Sequence, residues 1–304
     1  MEPCVYVIGT VFIDFKGFAR SKYNPPGRNL GEIRIIHGGV GRNVAENLAA
    51  MGLPVTFIST VDKTALGAEI IARLEQRKVD TSLIRQAERD GMGMWLAILD
   101  EKGELAGSIS KMPDLKMLKQ FLLAGGTEVL KKASHIALEL DLNSRITRTV
   151  IGLARQMGKP VYGIPGNLDV ILKNKEILPE LECFICNDIE AGQISGEDLA
   201  GLSIEQLMES LAKSFFVKHK CARHAVVTLG ARGAIYYDAA NNLTGYQPAI
   251  PTRVVDTTGA GDAFFSGTVA ALIRNRPLCE AVVYGTEAAA QVIGSSENIC
   301  RAIG

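Results

Sequence analysis

The sequence predicts a doubly wound α/β fold, in which a mostly parallel sheet carries helices on both faces. Short apolar runs indicate buried strands, and amphipathic stretches of helical period separate them along most of the chain. Strand, helix and strand in succession favour parallel crossovers. The sequence shows no internal repeat or low-complexity linker, so we expect a single domain over residues 1–304.

Each element follows from its local pattern. Buried strands are expected at 4–9, 55–60, 135–140, 160–164, 183–187 and 225–230. Helices are expected at 40–51, 65–78, 115–131, 144–157, 204–219, 260–274 and 278–293. Beyond residue 230 the sequence changes to alternating runs at 233–239, 243–249 and 252–256, which predicts antiparallel strands.

Two stretches interrupt the alternation of strands and helices. Residues from about 15 to 37 are polar and end in a short strand-like run at 32–36. Residues from about 91 to 111 have the pattern of a hairpin, with a turn at Glu101-Lys102-Gly103. We expect both stretches to pair into a small separate sheet. This sheet is either surface decoration or a lid. The lid is suggested by the position of the two stretches, which flank a glycine-rich segment.

The composition excludes several function classes. Of the 304 residues, 33 are Lys or Arg and 33 are Asp or Glu, so the chain lacks the basic excess of a general nucleic-acid binder. No apolar run approaches the roughly 18 residues of a membrane span. The first residues indicate a strand and not a signal peptide, so we expect a cytoplasmic protein without a membrane or nucleic-acid partner.

The six cysteines are scattered, and we interpret them as reduced core residues. Cys183 and Cys186 form a lone CxxC, but no second pair or histidine cluster completes a zinc site. They lie in a predicted strand, where a spacing of three places the two thiols on opposite faces. The other four are Cys4, Cys221, Cys279 and Cys300.

The strongest chemical signal is the string VVDTTGAGDAFFSGTVAALI at residues 254–273. A predicted strand ends at Asp256, and the glycine-rich turn at 259–261 opens a helix. Backbone N–H groups at such a turn add to the positive end of the helix dipole and form an anion site. If the anion is a transferring phosphoryl group, Asp262 can accept the proton of the attacking hydroxyl. The alternative is that Asp262 caps the helix.

Several motifs in this sequence resemble those of the ribokinase-like sugar and nucleoside kinases, the PfkB family. The strings DTTGAGD at 256–262 and GGVGRNVAEN at 38–47 resemble the C-terminal and N-terminal signatures of that family. Between them lie N-x-x-E at 187–190 and T-x-G-x-x-G at 228–233, and G-x-x-x-x-D follows the first strand at 9–14. The resemblance implies a ribokinase-like fold with a small β-sheet lid, ATP and Mg²⁺ as cofactors, and a homodimer joined through the lid.

The resemblance also implies roles for individual residues in phosphoryl transfer. They are Asp262 as catalytic base, Gly259, Ala260 and Gly261 as anion hole, Asn187 and Glu190 at the phosphates and Mg²⁺, and Thr228, Gly230 and Gly233 beside the nucleotide. Glu190 would act through water, because Mg²⁺ keeps several of its waters. An ordinary helix acid is the alternative for Glu190, and a plain β-turn is the alternative for the two glycines.

On the substrate side the resemblance points to a carboxylate, an amide and two glycines. They are Asp14, Gly38, Gly39 and Asn43, whose polar groups suit vicinal hydroxyls. Glu139, at the end of a predicted strand, is a further candidate for a sugar hydroxyl or else a solvated strand end. Asp256 and Thr258 match positions that bind a monovalent cation such as K⁺ in some relatives, with further ligands expected at 293–296. One departure is the stretch 163–167, which lacks an acidic residue that many relatives have there.

The motifs specify the acceptor substrate least. Arg42 before Asn43, with Glu46-Asn47 after it, resembles the pseudouridine kinases of the family, so pseudouridine is the expected acceptor. A ribokinase, an adenosine-type nucleoside kinase and a fructokinase-like sugar kinase remain alternatives. Arg42 would help to select the base, directly or by ordering Asn43, or else form a helix-surface ion pair with Glu46. The intact Asp262 turn disfavours a non-catalytic ligand sensor, and the first strand lacks the G-x-G-x-x-G of a nicotinamide-dependent dehydrogenase.

Overall fold

The computed structural model describes residues 3–140, 142–166, 168–217, 222–295 and 297–300. The predictions that concern Asn167, His219, Cys221 and Ser296 lie outside these ranges. No helix in the described ranges is both long enough and apolar enough to span a membrane.

The strands and helices follow one another in the expected alternation. The strands are β1 (Val5–Ile8), β2 (Phe12–Ala19), β3 (Gly31–Gly38), β4 (Val55–Ile58), β5 (Thr60–Asp62), β6 (Val79–Asp80), β7 (Arg85–Ala87), β8 (Gly93–Leu99), β9 (Leu105–Lys111), β10 (His135–Glu139), β11 (Val161–Ile164), β12 (Cys183–Asn187), β13 (His224–Thr228), β14 (Ala234–Asp238) and β15 (Leu243–Gln247). The helices are α1 (Val40–Ala50), α2 (Ala65–Gln76), α3 (Lys116–Leu130), α4 (Ser144–Gln156), α5 (Asp169–Lys173), α6 (Asp188–Ser195), α7 (Ile204–Ser210), α8 (Ala260–Ile273) and α9 (Leu278–Ile293).

Within the described ranges, nine strands form the main sheet in the order β15-β14-β13-β12-β11-β10-β1-β4-β6. The strands from β13 to β6 run parallel, and β14 and β15 continue the sheet antiparallel. From β1 the chain first builds outward through β4 and β6, and then returns to add β10 on the other side. The predicted doubly wound fold is therefore confirmed, and the chain order reverses between β1 and β10.

Alternation along each parallel strand supplies two core layers, one on each face of the sheet. Tyr6 and Ile8 of β1 belong to one layer, whereas Val5 and Val7 belong to the other. Burial on both faces explains why these strands are continuous apolar runs in the sequence. The same alternation separates the two CxxC thiols, with Cys183 in one layer and Cys186 in the other.

The predictions for the cysteines hold for all but one of those in the described ranges. Burial raises the pKa of the Cys183 thiol and that of Cys300, the latter to about 11, so both favour the protonated form. Cys279 is exposed near the start of α9, which corrects its assignment to the core. In the part of the chain that the structure describes, no group of three or more His, Cys, Asp or Glu residues is arranged to hold a metal ion.

A separate four-stranded sheet, in the order β3-β2-β8-β9 over the described residues, confirms the predicted small sheet and its hairpin. We call it the lid sheet. Strand β2 was not predicted, because Phe12–Ala19 mixes apolar and charged residues with glycine. Its residues Asp14 and Lys16 share one face and are buried, at 8% and 6% exposed. The opposite face exposes Ile33 and Ile109, at 77% and 69%.

Two further local predictions differ from the structure. The run at 252–256 is not a strand: Val254 and Val255 are 65% and 56% exposed. Val255 donates its N–H to the carbonyl of Ile293, at the end of α9, so the segment follows a helix end and extends no sheet. The helix expected at 204–219 is α7 followed by a π-helical stretch, Leu211–Val217.

Two helical glycines give opposite predictions for stability. A Cβ at Gly41 in α1 would lie 2.5 Å from the Cα of Gly9, whereas a Cβ at Gly125 in α3 meets nothing within 4 Å. We expect Gly41→Ala to cost about 1–3 kcal/mol of unfolding free energy, because backbone must move. Gly125→Ala should gain up to about 1 kcal/mol through helix propensity. Urea unfolding measures both, and equal effects would contradict the close approach of α1 to β1.

Candidate active site

The candidate site lies at the carboxyl ends of β1 and β10, where the chain order of the sheet reverses. Open α/β sheets bind ligands at this kind of position. Glu139 ends β10 and is 7% exposed. Its Oε2 accepts the N–H of Thr10 at 2.8 Å and that of Gly41 at 3.2 Å, and Thr10 Oγ1 donates to the same carboxylate at 3.0 Å. Glu139 thus joins the end of β1 to the first turn of α1, and it is not a solvated strand end.

The glycine-rich segment between the lid sheet and α1 faces Asp14. Gly39 precedes the first residue of α1 with φ +99°, and a Cβ there would lie 2.6 Å from the carbonyl oxygen of Thr10. A Cβ at Gly38 would lie 2.7 Å from Oδ2 of Asp14. Burial raises the pKa of Asp14, and Lys16 and Arg42 partly offset this. Two of the predicted substrate residues, Asp14 and Gly38, therefore meet between β2 and α1.

Asp262 lies in the first turn of α8 and does not cap it. The helix begins after Gly259, at φ +82°, and no side chain makes a capping hydrogen bond. Asp262 instead accepts a hydrogen bond on Oδ2 from Nδ2 of Asn43 at 2.6 Å. Burial raises the pKa of Asp262 to about 7, helped by the charge of Glu139; the Asn43 bond and Arg42 act in the opposite direction.

The amide of Asn43 is oriented by two donors on its oxygen. Asn298 Nδ2 donates to Oδ1 of Asn43 at 3.0 Å, and the guanidinium of Arg42 donates to the same atom. The Asn43 nitrogen is consequently turned towards Asp262. Asn298 also donates to the carbonyl of His37 at 3.0 Å. Asn298 was not predicted from the sequence, because it lies outside every motif and no local pattern marks it.

Arg42 is fully buried, which, of its two predicted routes to the substrate, disfavours direct contact and favours the ordering of Asn43. Its guanidinium pairs with Glu46, which also pairs with Arg73 at 3.2 Å. It donates to the carbonyl of Gly38 at 3.0 Å and to that of His37 at 2.5 Å. The expected ion pair with Glu46 is therefore present, but in the interior and not on the helix surface. The remaining route from Arg42 to a ligand is through Asn43.

The glycine-rich turn before α8 has open space in front of it. A Cβ at Gly261 would meet no atom within 4 Å, whereas one at Gly259 would lie 2.8 Å from Cβ of Asn298. Ala260 donates its N–H to the carbonyl of Thr257 at 3.2 Å. The first N–H groups of a helix have no partner inside the helix, so this turn presents donors to the open side.

An apolar hollow of about 140 Å³ adjoins this turn. It brings together three predicted nucleotide residues, Thr228, Gly230 and Gly233, with Ala260 and Gly261 of the turn. The rest of its lining was not predicted from the sequence and consists of Ala249, Ile250, Phe264, Thr286, Ala289, Ala290 and Ile293. The small residues of α9 could have indicated this hollow in the sequence, since alanines on one helix face leave room for a flat ligand.

Asn187 and Glu190 form a capping box at the start of α6. Oδ1 of Asn187 accepts the N–H of Glu190 at 2.8 Å, and Oε2 of Glu190 accepts the N–H of Asn187 at 2.8 Å. Glu190 therefore acts as an acidic residue in the first turn of a helix, which was the alternative to its role at Mg²⁺. Asn187 is in register with Thr228 on β13, so the pair lies beside the hollow. One carboxylate engaged in this way suits a Mg²⁺ ion held through water and by nucleotide phosphates.

A glycine-rich helix start beside a carboxylate at the carboxyl edge of a mostly parallel sheet suits phosphoryl transfer, and the family match makes this chain a phosphotransferase with a sugar or nucleoside hydroxyl as acceptor. The chain belongs to the pfkB family of carbohydrate kinases, whose family model matches residues 3–300. It is 37% identical over 294 residues to a guanosine-inosine kinase of Exiguobacterium acetylicum, covering 97% of this chain and 95% of that protein. It is 27% identical to the pseudouridine kinase of Escherichia coli strain K12, covering 91% and 86%.

Solved structures agree on the fold. The ribokinase of Arabidopsis thaliana, complexed with ribose and ATP, superposes with a TM-score of 0.82 at 21% identity, covering 99% of this chain and 96% of that one. The ribokinase of Giardia lamblia gives a TM-score of 0.83 at 20% identity, covering 99% and 96%. The predicted ribokinase-like fold is confirmed.

We expect the Asp262 carboxyl to titrate near pH 7, because burial and the charge of Glu139 raise its pKa. Asn43→Ala removes a hydrogen bond to the charged form, so the pKa should rise further. The carboxyl ¹³C shift of labelled aspartate, assigned by its loss in Asp262→Asn, reports the titration. A midpoint near the ordinary value of about 4 would contradict the burial of this carboxyl.

Proposed function

We propose that this chain is an ATP-dependent nucleoside kinase that phosphorylates the hydroxymethyl group of the ribose moiety. The observation that carries the proposal is the hydrogen bond between Asp262 and Asn43 at the mouth of the anion turn. A carboxylate beside exposed N–H donors can take a proton where negative charge develops on a phosphoryl group.

In the proposed reaction the acceptor hydroxyl attacks the γ-phosphoryl group of ATP. The acceptor oxygen forms a bond to the γ-phosphorus, and the bond from that phosphorus to the β–γ bridging oxygen breaks. The acceptor proton passes to Asp262, and ADP leaves with the bridging oxygen. The N–H groups of Gly259 and Gly261 support the proposal by offering donors for the transferred group, and that of Ala260 would join them by leaving the carbonyl of Thr257. Mg²⁺ bound near Glu190 would neutralise phosphate charge.

The acceptor would lie between the lid sheet and α1. Asp14 presents a buried carboxylate beside Gly38, which suits two vicinal hydroxyls of a ribose ring. Asn43 would orient both the substrate and Asp262. Glu139 is already engaged with the N–H groups of Thr10 and Gly41, so a sugar contact would come in addition to those bonds. ATP would place its base in the apolar hollow beside α9.

A purine nucleoside, guanosine or inosine, is the first candidate acceptor. It is supported by the 37% identity to a guanosine-inosine kinase over nearly the whole of both chains. Pseudouridine, the acceptor that the Arg42-Asn43 pair favoured in the sequence, is the second candidate, and a relative at 27% identity supports it. A ribokinase at 23% identity supports free ribose less strongly.

Initial rates with ATP and Mg²⁺ over guanosine, inosine, pseudouridine, adenosine, ribose and fructose test the proposal. We expect the highest kcat/KM for a nucleoside, since kcat/KM is the measure of discrimination. A higher value for ribose or fructose would contradict the nucleoside assignment. Absence of transfer to every acceptor, with binding retained, would support a ligand sensor instead.

Asp262→Asn should keep the fold and ATP binding but lower kcat by about 10²–10⁴, because the amide accepts no proton. The folded-state pKa lies above the ordinary value, so ionisation destabilises the folded wild type as pH rises from about 4 to about 7, and the loss is complete above that. The variant should therefore be at least as stable as the wild type at pH 8, by thermal unfolding. A kcat within a few-fold of wild type would remove Asp262 as the base.

Trp95, the chain's one tryptophan, tests the lid. It is in register with Asp14 on the neighbouring strand and is partly buried on the same face. We expect its fluorescence to change with the acceptor and less with ATP alone.

The exposed Ile33 and Ile109 on the opposite face support a homodimer, for which light scattering should give twice the 32.7 kDa chain mass. A monomer mass would overturn the homodimer. A Trp95 fluorescence that does not respond to the acceptor would overturn the lid.

A further inference from the structure

A lysine of the lid sheet is buried against the loop that leads into the anion turn. Lys16, on β2, is 6% exposed, which is rare for a lysine unless its charge is paired. Its Nζ donates to Oγ1 of Thr258 at 2.9 Å and lies 3.6 Å from Oδ2 of Asp256. These are the two residues that the sequence analysis assigned to a monovalent cation.

Both oxygens of Asp256 are engaged in this arrangement. Oδ1 accepts the N–H of Thr258 at 2.9 Å, and Oδ2 faces the ammonium of Lys16. Burial alone would raise the pKa of Asp256, but the Thr258 hydrogen bonds and the Lys16 charge outweigh it, so the pKa lies below its ordinary value. The carboxylate is charged and neutralised within the protein. A K⁺ ion does not fit this pair unless Lys16 withdraws.

We propose that the Lys16 ammonium takes the place of a monovalent cation at the Asp256–Thr258 loop, so that the loop needs no K⁺. The loop directly precedes Gly259, whose backbone begins the anion turn. A fixed charge at Thr258 holds the approach to that turn, and it does so from a strand that also carries Asp14. Lys16 is thus a positioning residue that joins the lid sheet to the phosphoryl site.

A lysine at position 16 has a side chain long enough to join β2 to the loop and a charge that balances Asp256. A neutral side chain at position 16 would leave the Asp256 carboxylate, whose side chain is 40% exposed, without a counter-charge on the protein side. A solvent cation could restore the balance, but it would not join β2 to the loop. The tethered ammonium does both, and it remains at the site at any salt concentration.

The wild-type protein gives the first test without any substitution. Rates are compared in potassium chloride and choline chloride at equal ionic strength, about 100 mM, so that screening is matched. We expect equal kcat and KM in the two salts. A large loss of kcat in choline would overturn the proposal. These rate measurements rest on the proposed kinase activity.

Lys16→Met removes the charge and keeps the length of the side chain. We expect kcat in choline to fall by about tenfold to a hundredfold, as misplacement of a catalytic loop produces, and K⁺ to restore part of it. Lys22→Met, an exposed lysine beyond the end of β2, is the matched control and should behave as wild type. Unchanged activity in Lys16→Met would overturn the proposal.

Thermal unfolding gives a readout that does not depend on catalysis. A cation that binds the folded state raises Tm, so K⁺ should raise the Tm of Lys16→Met more than choline does and leave wild type unchanged. Thr258→Val, which removes the Oγ1 acceptor and keeps Asp256 paired, should show no K⁺ effect on Tm. A K⁺-specific rise in the wild type would overturn the proposal even if no acceptor is ever phosphorylated.

Discussion

The buried carboxylate of Glu139 fixes the point around which the site is built. It accepts N–H groups from the end of β1 and from the first turn of α1, two segments that meet through bare glycine backbone. Without a side chain to pack there, the close approach depends on hydrogen bonds to a charged acceptor, which are among the stronger kind. Because α1 carries Asn43, the position of that amide against Asp262 depends on this junction.

The electrostatics of the site follow from the same arrangement. Burial and the charge of Glu139 raise the pKa of Asp262, while Arg42 and the Asn43 amide lower it, and the balance lies at about 7. A carboxylate with its ordinary pKa would be a weaker base, and one raised much further would be protonated under most conditions. The groups that hold the backbone together therefore also set the proton affinity of the candidate base.

Most of the fold and the local motifs could be predicted from the sequence, and the long-range contacts could not. Continuous apolar strands, helical periods and the two glycine-rich turns have local signatures, so β1, α1 and α8 were predicted within a residue or two. Strand β2 has none, because its inward charges Asp14 and Lys16 break the apolar pattern. The contribution of Asn298 depends on the chain returning to α1 after more than 250 residues, which no local pattern encodes.

The Arg-Asn pair at the start of α1 shows why a charged group is kept in the interior. A buried ion pair such as Arg42 with Glu46 adds little stability over well-packed apolar side chains. What an apolar replacement cannot supply is a fork of donors. Arg42 uses that fork to bind the carbonyls of His37 and Gly38 and the amide oxygen of Asn43 at once. A lysine offers no planar fork, so the guanidinium is the group that can fix the glycine-rich segment before α1 and direct the Asn43 amide towards Asp262.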